Sequence, residues 1–191
     1  CTELVERIGG HMPDFPEQVL QATYRHTARR LEMIRNEPLD PNLWPPVSRW
    51  ENDVHLWLNR NPVSCEALVL TALGAPMPIY HGGLLHAQVS YYDEAAQRPG
   101  LPPHVAALVE QVSARSVVLH LVNLNPVHSA AVVVQAGNFG EHLFTGVTDL
   151  ASGKRTELGN ADLRVELMPS ASLRIRIDLH RFARQPRYPL F

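Results

Sequence analysis

The sequence predicts a mainly β protein, an antiparallel β-sandwich preceded by helices. Two observations carry the β half. The apolar runs from residue 84 onward are short, β-branched and closed by turn residues. Arg164-Val-Glu-Leu167 and Leu173-Arg-Ile-Arg-Ile-Asp178 also alternate, which sends Val165, Leu167, Leu173, Ile175 and Ile177 inward and Arg174, Arg176 and Asp178 outward. A third observation concerns the N-terminal part, where apolar residues recur at three- and four-residue steps. The expected division is a helical segment over 1–77 and an antiparallel sandwich over 78–191.

Residues 14–36 read as a helix. Asp14 stands as its cap, Glu17 completes a capping-box-like exchange, and Pro16 is tolerated in the first turn. Leu20, Tyr24, Thr27, Leu31 and Ile34 form one stripe, and Asn36 with Pro38 ends the helix. Residues 37–49 hold four prolines and no period, so they read as an extended crossing pinned by Trp44. A short helix is expected over Glu51–Leu58. Another opens at Asn61-Pro62 and runs to about Leu73, where Gly74 and Pro76 stop it.

The first long strand is expected over Leu84–Tyr92, with His86, Gln88, Ser90 and Tyr92 on one face and Leu85, Ala87, Val89 and Tyr91 on the other. Pro99-Gly100 turns the loop that follows. Residues 103–112 are ambiguous between a helix and a strand, with Val105, Leu108, Val109 and Val112 fitting the helical period slightly better. Strands are expected at about 116–124, 130–136, 142–148, 162–168 and 172–179, with Gly153 supplying the positive φ of a hairpin turn.

Composition narrows the function classes. Of 191 residues 45% are hydrophobic and 19% charged, as in a soluble globular protein. The formal net charge of −2 and the scattered arginines offer no phosphate track, so nucleic acid is not an expected partner. No apolar run approaches the ~18–20 residues that span a bilayer, and membrane is not expected either. Cys1 and Cys65 cannot build a disulfide framework, and Cys65 is expected to be a buried inert thiol. The chain starts at Cys1 within what reads as ordinary folded sequence, so a fragment of a longer protein is expected.

The order of elements in the last third resembles the C-terminal β-sandwich accessory domain of many glycoside hydrolases. A strand carrying Val122-Asn123 precedes a turn and a second apolar strand. An Asp149-Leu-Ala-Ser-Gly153 hairpin follows, then an alternating strand that ends in Pro169-Ser-Ala-Ser172 before the last strand. The likeness covers about residues 116–179 and includes no catalytic signature. It implies a non-catalytic domain that packs on or lines an upstream catalytic domain, itself the expected partner, in a carbohydrate-active protein.

Two constellations offer chemistry of their own. Trp50, Glu51, Asp53 and Trp57 place carboxylates beside rings that stack on a pyranose. The alternative is that the acids favour a first helical turn and the tryptophans fill an interface. Tyr80 and His81, with His86, Asp93 and Glu94, are residue types that bind metal. The two histidines are five positions apart, however, and Gln88 stands where a cupin would place a ligand, so no metal is expected. The alternative to the accessory role is a saccharide- or metal-binding site within the chain, with candidate ligand-binding residues Trp50, Glu51, Asp53, Trp57, Tyr80 and His81. Glu141 and His142 form a binding pair only with help from elsewhere. No phosphate loop, nucleophile elbow or triad spacing occurs, so neither a cofactor nor a catalytic residue is expected. A plain protein-interaction module is the remaining alternative.

Overall fold

A computed structural model describes residues 12–36, 61–75 and 83–187. Two units emerge, Asp14–Ala67 and the sandwich-bearing remainder. The extended crossing at 37–49 and the short helix at Glu51–Leu58 lie outside the described residues.

In the first unit, α1 spans Phe15–Arg35. Asp14 flanks it, but its side chain makes no capping bond; its backbone carbonyl accepts from Gln18 N instead. Glu17 accepts from Gln21 one turn on at 2.9 Å rather than reaching back in a capping box. The expected stripe is present in sequence, yet no residue of α1 is buried. Thr27 Oγ1 and Arg30 Nη1 donate to the carbonyls of Pro62 and Asn61. Asn61 does not cap a helix. Its Oδ1 accepts from Val63 N at 2.9 Å in a local turn, and α2 begins only at Glu66, running to Ala72. Cys65 is a free, half-buried thiol, less enclosed than expected.

The second unit is an antiparallel β-sandwich, as the alternation predicts. Its strands are β1 Val89–Asp93, β2 Arg98–Pro99, β3 Val105–Val112, β4 Ser116–Asn123, β5 Ala130–Ala136, β6 Leu143–Asp149, β7 Arg155–Asn160, β8 Asp162–Leu167 and β9 Ser172–His180. One sheet has the order β2-β1-β5-β8 and the other β3-β4-β9-β6-β7. Val165, Leu167, Ile175 and Ile177 are buried as expected, and Leu173 packs against them half-buried. They meet Val89, Leu119, Leu121, Val132, Val134 and Phe144 between the sheets. Each such side chain stabilises the fold by roughly 1.5–3 kcal/mol.

Two readings of the sequence are corrected here and one ambiguity is resolved. Residues 105–112, open between helix and strand in the pattern, are a strand. β3 pairs with β4 along its length, with a bulge between Val109 and Gln111. The extra residue shifts the inward position, so the buried or half-buried Val105, Val109 and Val112 fall four and three apart, the spacing of a helix. The strand expected from Leu84 instead starts at Val89, after a 3₁₀ turn at Gly83–His86. Within it Ala87, Val89 and Tyr91 are buried as the alternation requires, whereas Leu85 is exposed. Finally, β7 forms where no strand was expected.

Tyr91 joins α2 to β1, because its hydroxyl donates to the carbonyl of Ala72 at 2.6 Å. Burial pushes its phenol far above the usual tyrosine range. Tyr91→Phe should lower the free energy of unfolding by about 1 kcal/mol, since one buried carbonyl loses its donor and little shape changes. Urea denaturation followed by far-UV circular dichroism measures it.

Candidate functional site

Trp50, Glu51, Asp53, Trp57, Tyr80 and His81 lie outside the described residues. Their described neighbours are occupied with structure. The carbonyl of His86 accepts from Gln88 Nε2 at 2.7 Å. Asp93 is buried at the β1–β2 turn, where it accepts from Ala96 N and faces Arg98. Glu94 pairs with Arg164 at 2.7 Å. No group of three or more metal-ligating side chains occurs among the described residues.

Three places in the sandwich bring polar chemistry together. The first is a groove of about 300 Å³ where β8 diverges from the β6–β7 hairpin. Val147, Val165 and Ile175 contribute apolar walls, and Asp149, Lys154 and Glu166 supply charge. None of its lining side chains is aromatic, so no ring is available to stack on a sugar. Glycoside hydrolysis also calls for one carboxyl held protonated. Asp149 goes the other way: Ser152 Oγ at 2.6 Å and the amide of Ala151 hold its carboxyl below the ordinary value. This aspartate is a hairpin residue, fixing the turn whose Gly153 has φ +73°.

The second place is on the outer face of the larger sheet. Ser172 Oγ and His120 Nε2 are 2.8 Å apart, and His120 Nδ1 lies 3.3 Å from Glu110 Oε1. The register that sets His120 opposite Arg174, together with the bulge at Glu110, assembles this line from three strands. Sequence spacing carries no signal of it, because Ser172 and His120 are 52 residues apart. The order of groups is that of a nucleophile, base and acid, and the acid at its end is also held by a cation. Arg174 Nη2 and Nε clamp the Glu110 carboxylate. β4 and β9 are interior strands of the sheet, paired on both sides.

The third place is the loop Gly137-Asn-Phe-Gly-Glu-His142, which the structure joins to the segment after β9. Glu141 and His142 are 4% and 1% exposed. The Glu141 carboxylate accepts from Phe139 N at 2.8 Å and from Asn138 N at 3.4 Å. His142 Nδ1 accepts from Phe182 N at 3.1 Å, and the two rings meet edge to face at 4.8 Å. The help these two residues needed comes from 181–187, and the result is a structural knot rather than an open binding pair.

A family described as a domain of unknown function (DUF8034) matches residues 4–69, which include α1 and stop short of the sandwich. No curated protein matches the chain. Among solved structures, the chain is similar to a variant of a GH27 β-L-arabinopyranosidase from Geobacillus stearothermophilus, crystallised with arabinose. The TM-score is 0.34 at 18% identity, over 40% of this chain and 18% of that one. The chain thus spans under a fifth of the length of that enzyme.

Proposed function

We propose that the sandwich is a non-catalytic accessory domain of a carbohydrate-active protein, packing on or lining a catalytic domain upstream. The observation that supports the reading most is the last third of the sequence. The strand with Val122-Asn123, the Asp149–Gly153 hairpin and the Pro169–Ser172 corner, which carry the resemblance, all fall at strand ends and turns of an antiparallel sandwich. The character of the polar clusters agrees with it. Asp149, Glu141 and Glu110 each serve a turn, a loop or an ion pair.

On this reading the 191-residue chain does not turn over glycosides. The test is an assay of the purified chain on a panel of aryl glycosides, with no release of chromophore expected. Turnover abolished by Glu51→Gln or Asp53→Asn would place an active site in this chain and overturn the proposal. Saccharide binding lost on Trp50→Ala or Tyr80→Ala, without turnover, would make the chain a binding module instead.

A further inference from the structure

We infer that residues 181–187 form a strap latched to the end of the sandwich by the unprotonated His142 imidazole, and that acidification opens the latch while Arg181 stays anchored. Three backbone amides tie the strap down. Phe182 N donates to His142 Nδ1, Arg184 N to the carbonyl of Glu141 at 3.1 Å, and Arg187 N to the carbonyl of Phe139 at 2.8 Å. Arg187 Nη2 adds an ion pair with Asp162 at 2.6 Å, exposed enough to contribute little.

The bond at His142 is the one that depends on a proton. Because Nδ1 accepts from Phe182 N, the neutral ring carries its proton on Nε2. Protonation would set an N–H on Nδ1 facing the Phe182 N–H, two donors with nothing to share, and that contact must open. Glu141 cannot readily compensate. Its Oε1 is 3.9 Å from Nε2, and moving closer would take the carboxylate from the amides of Asn138 and Phe139. The charged groups that act on the ring are Glu141 from the loop and Arg181 from the strap, while Arg187 of the strap pairs with Asp162 of β8. Burial disfavours the imidazolium most, Glu141 favours it and Arg181 disfavours it, and the balance holds His142 below the ordinary histidine value.

The hinge is equally defined. The Arg181 guanidinium donates to the carbonyls of Ala114 at 2.9 Å and of Ser113, contacts that do not titrate near neutral pH. Phe182 next to it has φ +52°, a strained conformation for an aromatic residue, and its side chain is exposed. Releasing the amide from His142 relaxes that strain, so backbone preference and protonation act in the same direction. A depressed value means that the latch is fully closed above about pH 6.5 and opens as pH falls through the folded-state value.

Amide hydrogen exchange at pH 7.5 and 5.0, corrected for intrinsic rates, tests the inference. Protection of Phe182, Arg184 and Arg187 should drop about tenfold or more at the lower pH while that of Ile177 holds. His142→Asn offers Oδ1 in place of Nδ1 without a titrating ring, and should keep the strap protected at both values. Equal protection of the wild-type strap at the two pH values would overturn the inference, as would the same acid loss in the asparagine variant. Should that variant fail to fold, wild-type NMR decides: the midpoint for strap opening must coincide with the His142 ring titration, and a mismatch refutes the latch.

Discussion

Asn123→Ala should lower the free energy of unfolding by about 3 kcal/mol, well beyond the loss of a single hydrogen bond. Asn123 is 1% exposed. Its Nδ2 lies within 3.2 Å of three carbonyls, His128, Leu167 and Met168, and its Oδ1 accepts from Asn125 N at 3.0 Å. One amide therefore pins the end of β4 to the β4–β5 turn and to the corner between β8 and β9, bridging the two sheets. Alanine takes this donor from the buried contact at the Leu167 carbonyl and from the part-buried one at His128, while the Met168 carbonyl keeps its bond from Ala171 N; the cost is about 1–3 kcal/mol for each carbonyl that finds no replacement. Asn123→Asp should be at least as damaging, because it keeps the acceptor but turns an anion toward carbonyl oxygens. Chemical denaturation at pH 7 measures both, and a loss under about 1 kcal/mol for alanine would show that water takes over the donor role.

Gly137→Ala should cost a similar amount, about 2–4 kcal/mol, through two effects that add. Gly137 has φ +85°, where a side chain is strained. A Cβ at this position would also stand 2.4–2.5 Å from the Glu141 carboxyl group. That group cannot swing away freely, since it is buried and holds the amides of Asn138 and Phe139. Thermal unfolding compared with Gly153→Ala separates the two effects. Gly153 has φ +73° but nothing within 4 Å of its added Cβ, so it reports backbone strain alone. Equal losses at the two positions would mean that the carboxylate yields at no cost.

The parts of the fold legible in the sequence are those where one strand carries both faces of its pattern. β8 and β9 alternate without interruption, and their inward residues were readable one by one. β3 was ambiguous because its bulge turns a period of two into steps of four and three. β7 escaped because Arg155-Thr-Glu-Leu-Gly-Asn160 is an edge strand, exposed at all but one residue, with no apolar face to announce it. Its place comes from pairing with β6, a long-range fact. The turn after Val122-Asn123 was legible, although the reach of the Asn123 side chain to Leu167 and Met168 was not. The Ser172–His120–Glu110 line and the strap over His142 were equally invisible, because each depends on residues brought together only by the finished sheets. The expected ligand site at Trp50, Glu51, Asp53, Trp57, Tyr80 and His81 falls outside the described residues, so the fold bears on it no further.

The order β3-β4-β9-β6-β7 has a consequence for how the chain reaches its native state. β9 follows the other eight described strands in the chain and is the middle strand of its sheet. Until residues 172–180 arrive, that sheet exists only as two separate hairpins, β3–β4 and β6–β7, each with an unsatisfied edge. Pairing Ser116 with Asp178 and Leu143 with His180 then closes both gaps in one step. Closure on this scale couples contacts distant along the chain, which makes folding slow and cooperative and leaves the waiting edges open to pairing with other chains.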